Sequence, residues 1–222
     1  LVKILINLNR PNEAKLEAIN AKKLFSKNHL FDSLLGDIYS YTGDFNDAIR
    51  HYKNAFSKSP NDEDTLYTFA NFSVGIGNKK ESIYFFNKVL KINPLHSLSF
   101  YSLSTIIDIE KDEVIKNKIK KLNLLDFKSD YDRYTILFSK SHIFHKLKDF
   151  DKSSKLLKEA NELKLKVRPS NIKYLINSSE NIKKETSKDS SFDVSKFKNL
   201  RDIFIVGLPR SGSTLIESII GI

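Results

Sequence analysis

Apolar side chains recur along this chain at the spacing of a helix face. Ala48, Tyr52 and Ala55 stand at i, i+4 and i+7, which predicts one amphipathic helix. Just before them, Leu35, Gly36 and Tyr39 share a face of another helix, and Thr42-Gly43-Asp44 supplies a turn between the two. Small Gly36 lets a neighbouring helix approach closely. Pro60 closes the unit, because proline cannot continue a helix.

The same pattern returns 34 residues later. Gly43 pairs with Gly77, Pro60 with Pro94, Ala48 with Ser82, Tyr52 with Phe86 and Ala55 with Val89. Phe45 and Lys79 break the register, as surface-facing or linker positions do. The second copy, Glu63 to Pro94, is degenerate, with Phe69-Ala70 for Leu-Gly and Ser73 for Tyr. Upstream, Ala14, Ala18 and Ala21 read as the second helix of an earlier copy whose first helix is Leu1 to Leu8. Leu95 to Leu125 is helical by period but blurred. In a later copy, Phe144, Lys148-Asp149-Phe150, Ser153, Leu157 and Ala160 parallel Tyr39, Gly43-Asp44-Phe45, Ala48, Tyr52 and Ala55.

The unit filled by Leu35, Gly36, Tyr39, Ala48, Tyr52, Ala55 and Pro60 resembles the tetratricopeptide repeat (TPR), two antiparallel helices packed by alternating small and large residues. Residues 1–178 are therefore expected to form four to five helical hairpins stacked as a right-handed α-solenoid with a concave groove. The resemblance implies a protein or peptide in that groove. Tyr39, Tyr52, Phe69, Phe85, Phe86 and Phe144 fall at core spacing and read as packing residues. His142 and His145, at i and i+3, could share a metal, but no third ligand stands at a telling spacing, and no metal site is expected.

From Ser178 to Lys198 the chain turns rich in Ser, Lys and acidic residues, a boundary composition that reads as a linker over 179–200. Phe192, Val194 and Phe197 could pack it on a neighbour. The period then changes. Ile203 to Val206 is a short apolar run expected to be a buried strand. Gly207 to Gly212 is a loop, and Leu215, Ile216, Ile219 and Ile220 recur at helical spacing. Strand, glycine loop and helix together suit an anion, because the first N–H groups of a helix lack intrahelical partners and the helix dipole is positive there. Ser211, Ser213 and Thr214 add hydroxyls and Arg210 a full charge. Gly207 and Gly212 have the separation of the nucleotide P-loop, but Ser213 stands where its lysine belongs.

The stretch GLPRSGST, Gly207 to Thr214, resembles the 5′-phosphosulfate-binding loop of sulfotransferases, including bacterial ones with TPR repeats ahead of the catalytic domain. The resemblance implies that residues 201–222 begin an α/β, P-loop-like sulfotransferase domain. It implies 3′-phosphoadenosine-5′-phosphosulfate (PAPS) as sulfuryl donor and a hydroxyl acceptor on a protein or glycan. Gly207, Pro209, Arg210, Ser211, Gly212, Ser213 and Thr214 would bind the donor. Arg210 would stabilise charge developing toward the departing sulfuryl group. No metal is implied. The family's 3′-phosphate site and general base would lie beyond Ile222, and Glu217 reads as structural. The chain is thus expected to be a fragment, cut at both ends and inactive by itself. Two alternatives stay open: a non-catalytic TPR scaffold, and a phosphotransferase with an altered P-loop.

Composition narrows the partners. The chain has 222 residues and no cysteine, which excludes disulfides and thiolate metal sites. Its net charge is +10, yet lysines are scattered among acids without a basic block, which argues against nucleic acid. No apolar run reaches the roughly 20 residues of a membrane span. A cytoplasmic location is the expectation.

Overall fold

The computed structural model describes residues 1–169 and 171–186. Leu1–Ser170 forms one compact unit and a second begins at Asn171. The described residues are helical throughout, with no strand among them.

The first unit is a row of helical pairs. Its helices are α1 (Val2–Asn7), α2 (Pro11–Leu24), α3 (His29–Thr42), α4 (Phe45–Lys58), α5 (Glu63–Gly75), α6 (Lys79–Ile92), α7 (Ser97–Ile106), α8 (Glu113–Lys121), α9 (Asp130–Lys146) and α10 (Phe150–Val167). Each odd-numbered helix packs against the even-numbered one that follows it. The helix starts are capped by local side chains. Asn28, Asp62, Asn78, Ser129 and Asp149 each accept a backbone N–H from the first turn, satisfying donors that have no intrahelical partner.

Four of the five turns within pairs are built alike. Asn9, Gly43, Gly77 and Lys148 have positive φ, at 56°, 84°, 76° and 62°. In each turn the next N–H donates to the carbonyl five residues back: Arg10 to Leu5, Asp44 to Tyr39, Asn78 to Ser73 and Asp149 to Phe144. This is the Schellman closure. The parallel drawn between Lys148 and Gly43 is therefore structural, although Lys148 must hold a backbone that glycine adopts freely.

The blurred segment resolves as α7 and α8, shorter than the other pairs, joined by a different turn in which Asp112 accepts the Asp108 N–H. A 3-10 turn (Leu124–Asp126) follows, and Phe127 enters the core.

The aromatics read as packing residues are buried. Tyr52 stacks on Phe69 at 5.1 Å and meets Phe72 at 5.1 Å. Gly36 lies directly under the Tyr52 ring. Leu157 departs from its expected likeness to Tyr52. It is 43% exposed, because within this unit α10 packs on α9 alone.

In the second unit, α11 (Ile172–Thr186) runs through Ser178 into the segment expected to be linker. Residues 187–222 lie outside the described residues. They include the rest of that linker, the expected strand 203–206 and the glycine loop.

Candidate functional site

The helices are not packed evenly. α1 touches α3, α3 touches α5, α5 touches α7 and α7 touches α9, whereas α2, α4, α6 and α8 contact their own partner and the next odd-numbered helix. The odd-numbered helices therefore line the shorter, inner side of the row. Polar side chains link neighbours along it. The Tyr41 hydroxyl donates to Asn9 Oδ1 at 2.7 Å, and Ser102 approaches Asn71 Oδ1 at 3.5 Å.

Between α3 and α5 this inner side opens into a cavity of about 370 Å³. Phe45, Tyr52 and Phe72 make its aromatic floor, and Ile76 extends it. Ser40, Thr68 and Asn71 supply polar groups, and Gly75 leaves one wall low. Phe45 is 50% exposed, which answers its break from the repeat register. It belongs to the open surface, at 6.2 Å from the Phe72 ring. An apolar hollow with a few placed polar groups is what a side chain of a bound peptide needs.

The cavity connects to a charge below it. The Tyr52 hydroxyl donates to Asp37 Oδ1 at 2.7 Å. Burial pushes the Asp37 carboxyl above its ordinary range, while the Tyr52 bond and Lys3 pull the other way. Burial, and then the Asp37 charge, raises the Tyr52 phenol.

A second polar cluster joins α2, α3 and α4. Asp32 is fully buried and accepts from Lys22 at 2.6 Å and Lys58 at 2.6 Å, with His51 Nδ1 at 3.0 Å. Burial opposes ionisation of Asp32, but hydrogen bonds from Lys22, Lys58 and His51 outweigh it and hold its pKa below the ordinary value. Burial pushes His51 below its ordinary value, against the pull of Asp32. The His51 ring stacks on Tyr39 at 5.3 Å. Both Asp32 oxygens are engaged and the carboxylate has no access to solvent, so the cluster is a clasp between helices rather than a reaction centre.

His142 and His145 serve different neighbours. His142 Nδ1 lies 3.0 Å from Ser104 Oγ and its ring 5.3 Å from Tyr101, whereas the His145 ring lies against Phe150. Among the described residues no group of three or more His, Cys, Asp or Glu could hold a metal ion. Nor is any described helix long and apolar enough to cross a membrane. Arg210, Gly207, Pro209, Ser211, Gly212, Ser213 and Thr214 lie outside the described residues. The sequence predicts a concave groove but does not name the residues that line it, and it does not reveal the Asp32 clasp. Phe45 breaking the register was the one available signal for the groove.

The tetratricopeptide repeat family matches residues 33–62 and 134–166. No curated protein matches the chain. Among solved structures, MamA is 17% identical, with a TM-score of 0.59 over 77% of this chain and 98% of its own. Pseudomonas aeruginosa PilF is 12% identical, with a TM-score of 0.58 over 89% of this chain and 88% of its own. YrrB, described as a TPR protein with an unusual peptide-binding site, is 12% identical, with a TM-score of 0.52 over 80% of this chain and 88% of its own. The described residues thus form an all-helical, TPR-like solenoid. The two segments that match the tetratricopeptide repeat are α3–α4 and α9–α10, and the first of them flanks the cavity.

Proposed function

We propose that the helical array is a protein-interaction scaffold that receives a peptide segment along its inner side. The observation that carries this reading is the cavity of Phe45, Tyr52 and Phe72 under Ser40, Thr68 and Asn71. Phe45 offers apolar surface to water without a covering element, and exposed aromatics at a concave site favour binding over packing. The likeness to YrrB, a TPR protein with a peptide-binding site, supports the same reading. Selection from a displayed peptide library tests it. Recovered peptides should compete with one another and protect Phe45 and Asn71 in hydrogen-exchange or NMR footprints. Footprints confined to α6 and α8, sparing Phe45 and Asn71, would contradict it.

A second reading rests on Gly207 to Thr214. We propose that this loop binds the 5′-phosphosulfate end of PAPS and that the protein transfers a sulfuryl group to a hydroxyl of a protein or glycan held by the repeats. Backbone N–H groups of the loop, with Ser211, Ser213 and Thr214, hold the phosphate, and Arg210 stabilises the charge that develops in transfer. Adenosine 3′,5′-bisphosphate binding by the full-length gene product tests this. Binding that is lost in Arg210→Ala supports it. ATP binding with Mg²⁺ in its place would turn the loop into an altered P-loop.

A further inference from the structure

From α3 to α8 the charge is segregated between the two rows of helices, although α9 of the inner row carries Arg133, Lys140 and Lys146. Although the protein holds 37 Lys and Arg, α3, α5 and α7 contain none. Their partners are strongly basic. α4 carries three such residues, and α6 and α8 carry four each. The inner side from α3 to α7 is therefore free of lysine and arginine in a protein of net charge +10.

The acids on those inner helices are not equivalent. Asp32 is engaged by Lys22 and Lys58. Glu63 is held by Asn93 at 3.0 Å and faces His96 at 3.6 Å. Asp37 accepts only the neutral Tyr52 hydroxyl, through Oδ1, and Asp64 is exposed. Asp37 stands three residues before Ser40, and Asp64 stands four and seven before Thr68 and Asn71. Both carboxylates therefore extend the helix stripes that border the cavity. Lys3 faces Asp37 from α1, and His96 lies near Asp64. At the far end Lys146 is tied to the carbonyls of Thr105 and Ile107 at 2.8 and 2.9 Å, so its charge is directed to the end of α7.

Resting on the scaffold reading above, we infer that the inner groove takes a cationic peptide: an apolar side chain seated on Phe45 and Phe72, flanked by Lys or Arg that meet Asp37 and Asp64. The basic outer helices repel such a peptide everywhere else and draw acidic ones to themselves, so charge selects the face as well as the ligand. This is the opposite of what the net charge suggests.

Three fluorescent peptides of equal length test it, each with a central Leu-Phe pair flanked by Lys, by Ser or by Glu. They are titrated by anisotropy against the chain and its Phe45→Ala variant. The Lys peptide should bind at least about tenfold more tightly than the Glu peptide at the Phe45-sensitive site, with the preference weakening as salt rises. Asp37→Asn with Asp64→Asn should erase the preference while leaving the melting curve in place, since asparagine still accepts from Tyr52. A Glu peptide that binds without regard to Phe45 marks the outer face and agrees with the segregation. Equal Phe45-sensitive binding of all three peptides overturns the charge inference and leaves the scaffold reading standing. No Phe45-sensitive binding by any peptide overturns both.

Discussion

A β-carbon built on Gly36 would stand 2.7 Å from Cε1 of Tyr52. The ring cannot move aside, because it is 2% exposed and stacked on Phe69. Gly36→Ala therefore overpacks the α3–α4 joint, at a cost of about 1–3 kcal/mol, against a helix-propensity gain of about 1 kcal/mol. The expected net effect is a loss of up to about 2 kcal/mol, read as a lower urea midpoint. Gly75→Ala is the control. Beyond its chain neighbours and its own helix backbone nothing lies within 4 Å of its β-carbon, and its midpoint should stay or rise.

Lys148 holds a left-handed backbone, φ 62°, where the equivalent turn has Gly43 at 84°. A side chain there costs about 1–2 kcal/mol. Lys148→Gly should raise stability by about 0.5–1 kcal/mol once the extra freedom of unfolded glycine is subtracted. Gly43→Ala should lower it by about 1 kcal/mol. Equal midpoints for the two variants would show that the turns are not equivalent.

Acid should weaken the fold in two stages. Burial lowers the pKa of His51, His96 and His142 in the folded state. The unfolded chain then binds protons first, and stability falls as pH drops below about 6.5. Asp37, raised by burial, works in the opposite sense, as one group against three. Asp32 has a depressed pKa, so its contribution is present above about pH 3.9 and is lost as pH falls through the folded value. Denaturation midpoints should decline between pH 7 and 5 and fall again below 4, with His51→Gln shrinking the first decline. A midpoint that rises from pH 7 to 5 would refute this ordering.

The repeat was readable because its period fixes both a turn and a face. Ala48, Tyr52 and Ala55 define a buried stripe, and Gly43 and Gly77 mark equal turns. Asn9, another 34 residues upstream of Gly43, closes its turn the same way but carries no glycine to announce it. The Asp32 clasp joins residues 10, 19 and 26 apart, spacings that match no helix face. The groove depends on which row of helices lies inside, a property of stacking rather than of any one repeat. Leu157 matched the pattern and is exposed, because pattern alone does not reveal whether a neighbour covers it. The segment after Ser178 reads as linker by composition, yet α11 continues to Thr186, its Lys and Glu being good helix formers.

The most direct measurement is the affinity of one library-selected peptide for the chain and for three variants. Phe45→Ala and Asn71→Ala alter the groove, and Tyr84→Ala alters an exposed aromatic on α6. The account predicts losses of about tenfold or more, 1.4 kcal/mol, for the first two, and less than about twofold for Tyr84→Ala. Loss at Tyr84 with Phe45 and Asn71 indifferent would place the binding surface on the outer helices and contradict the account.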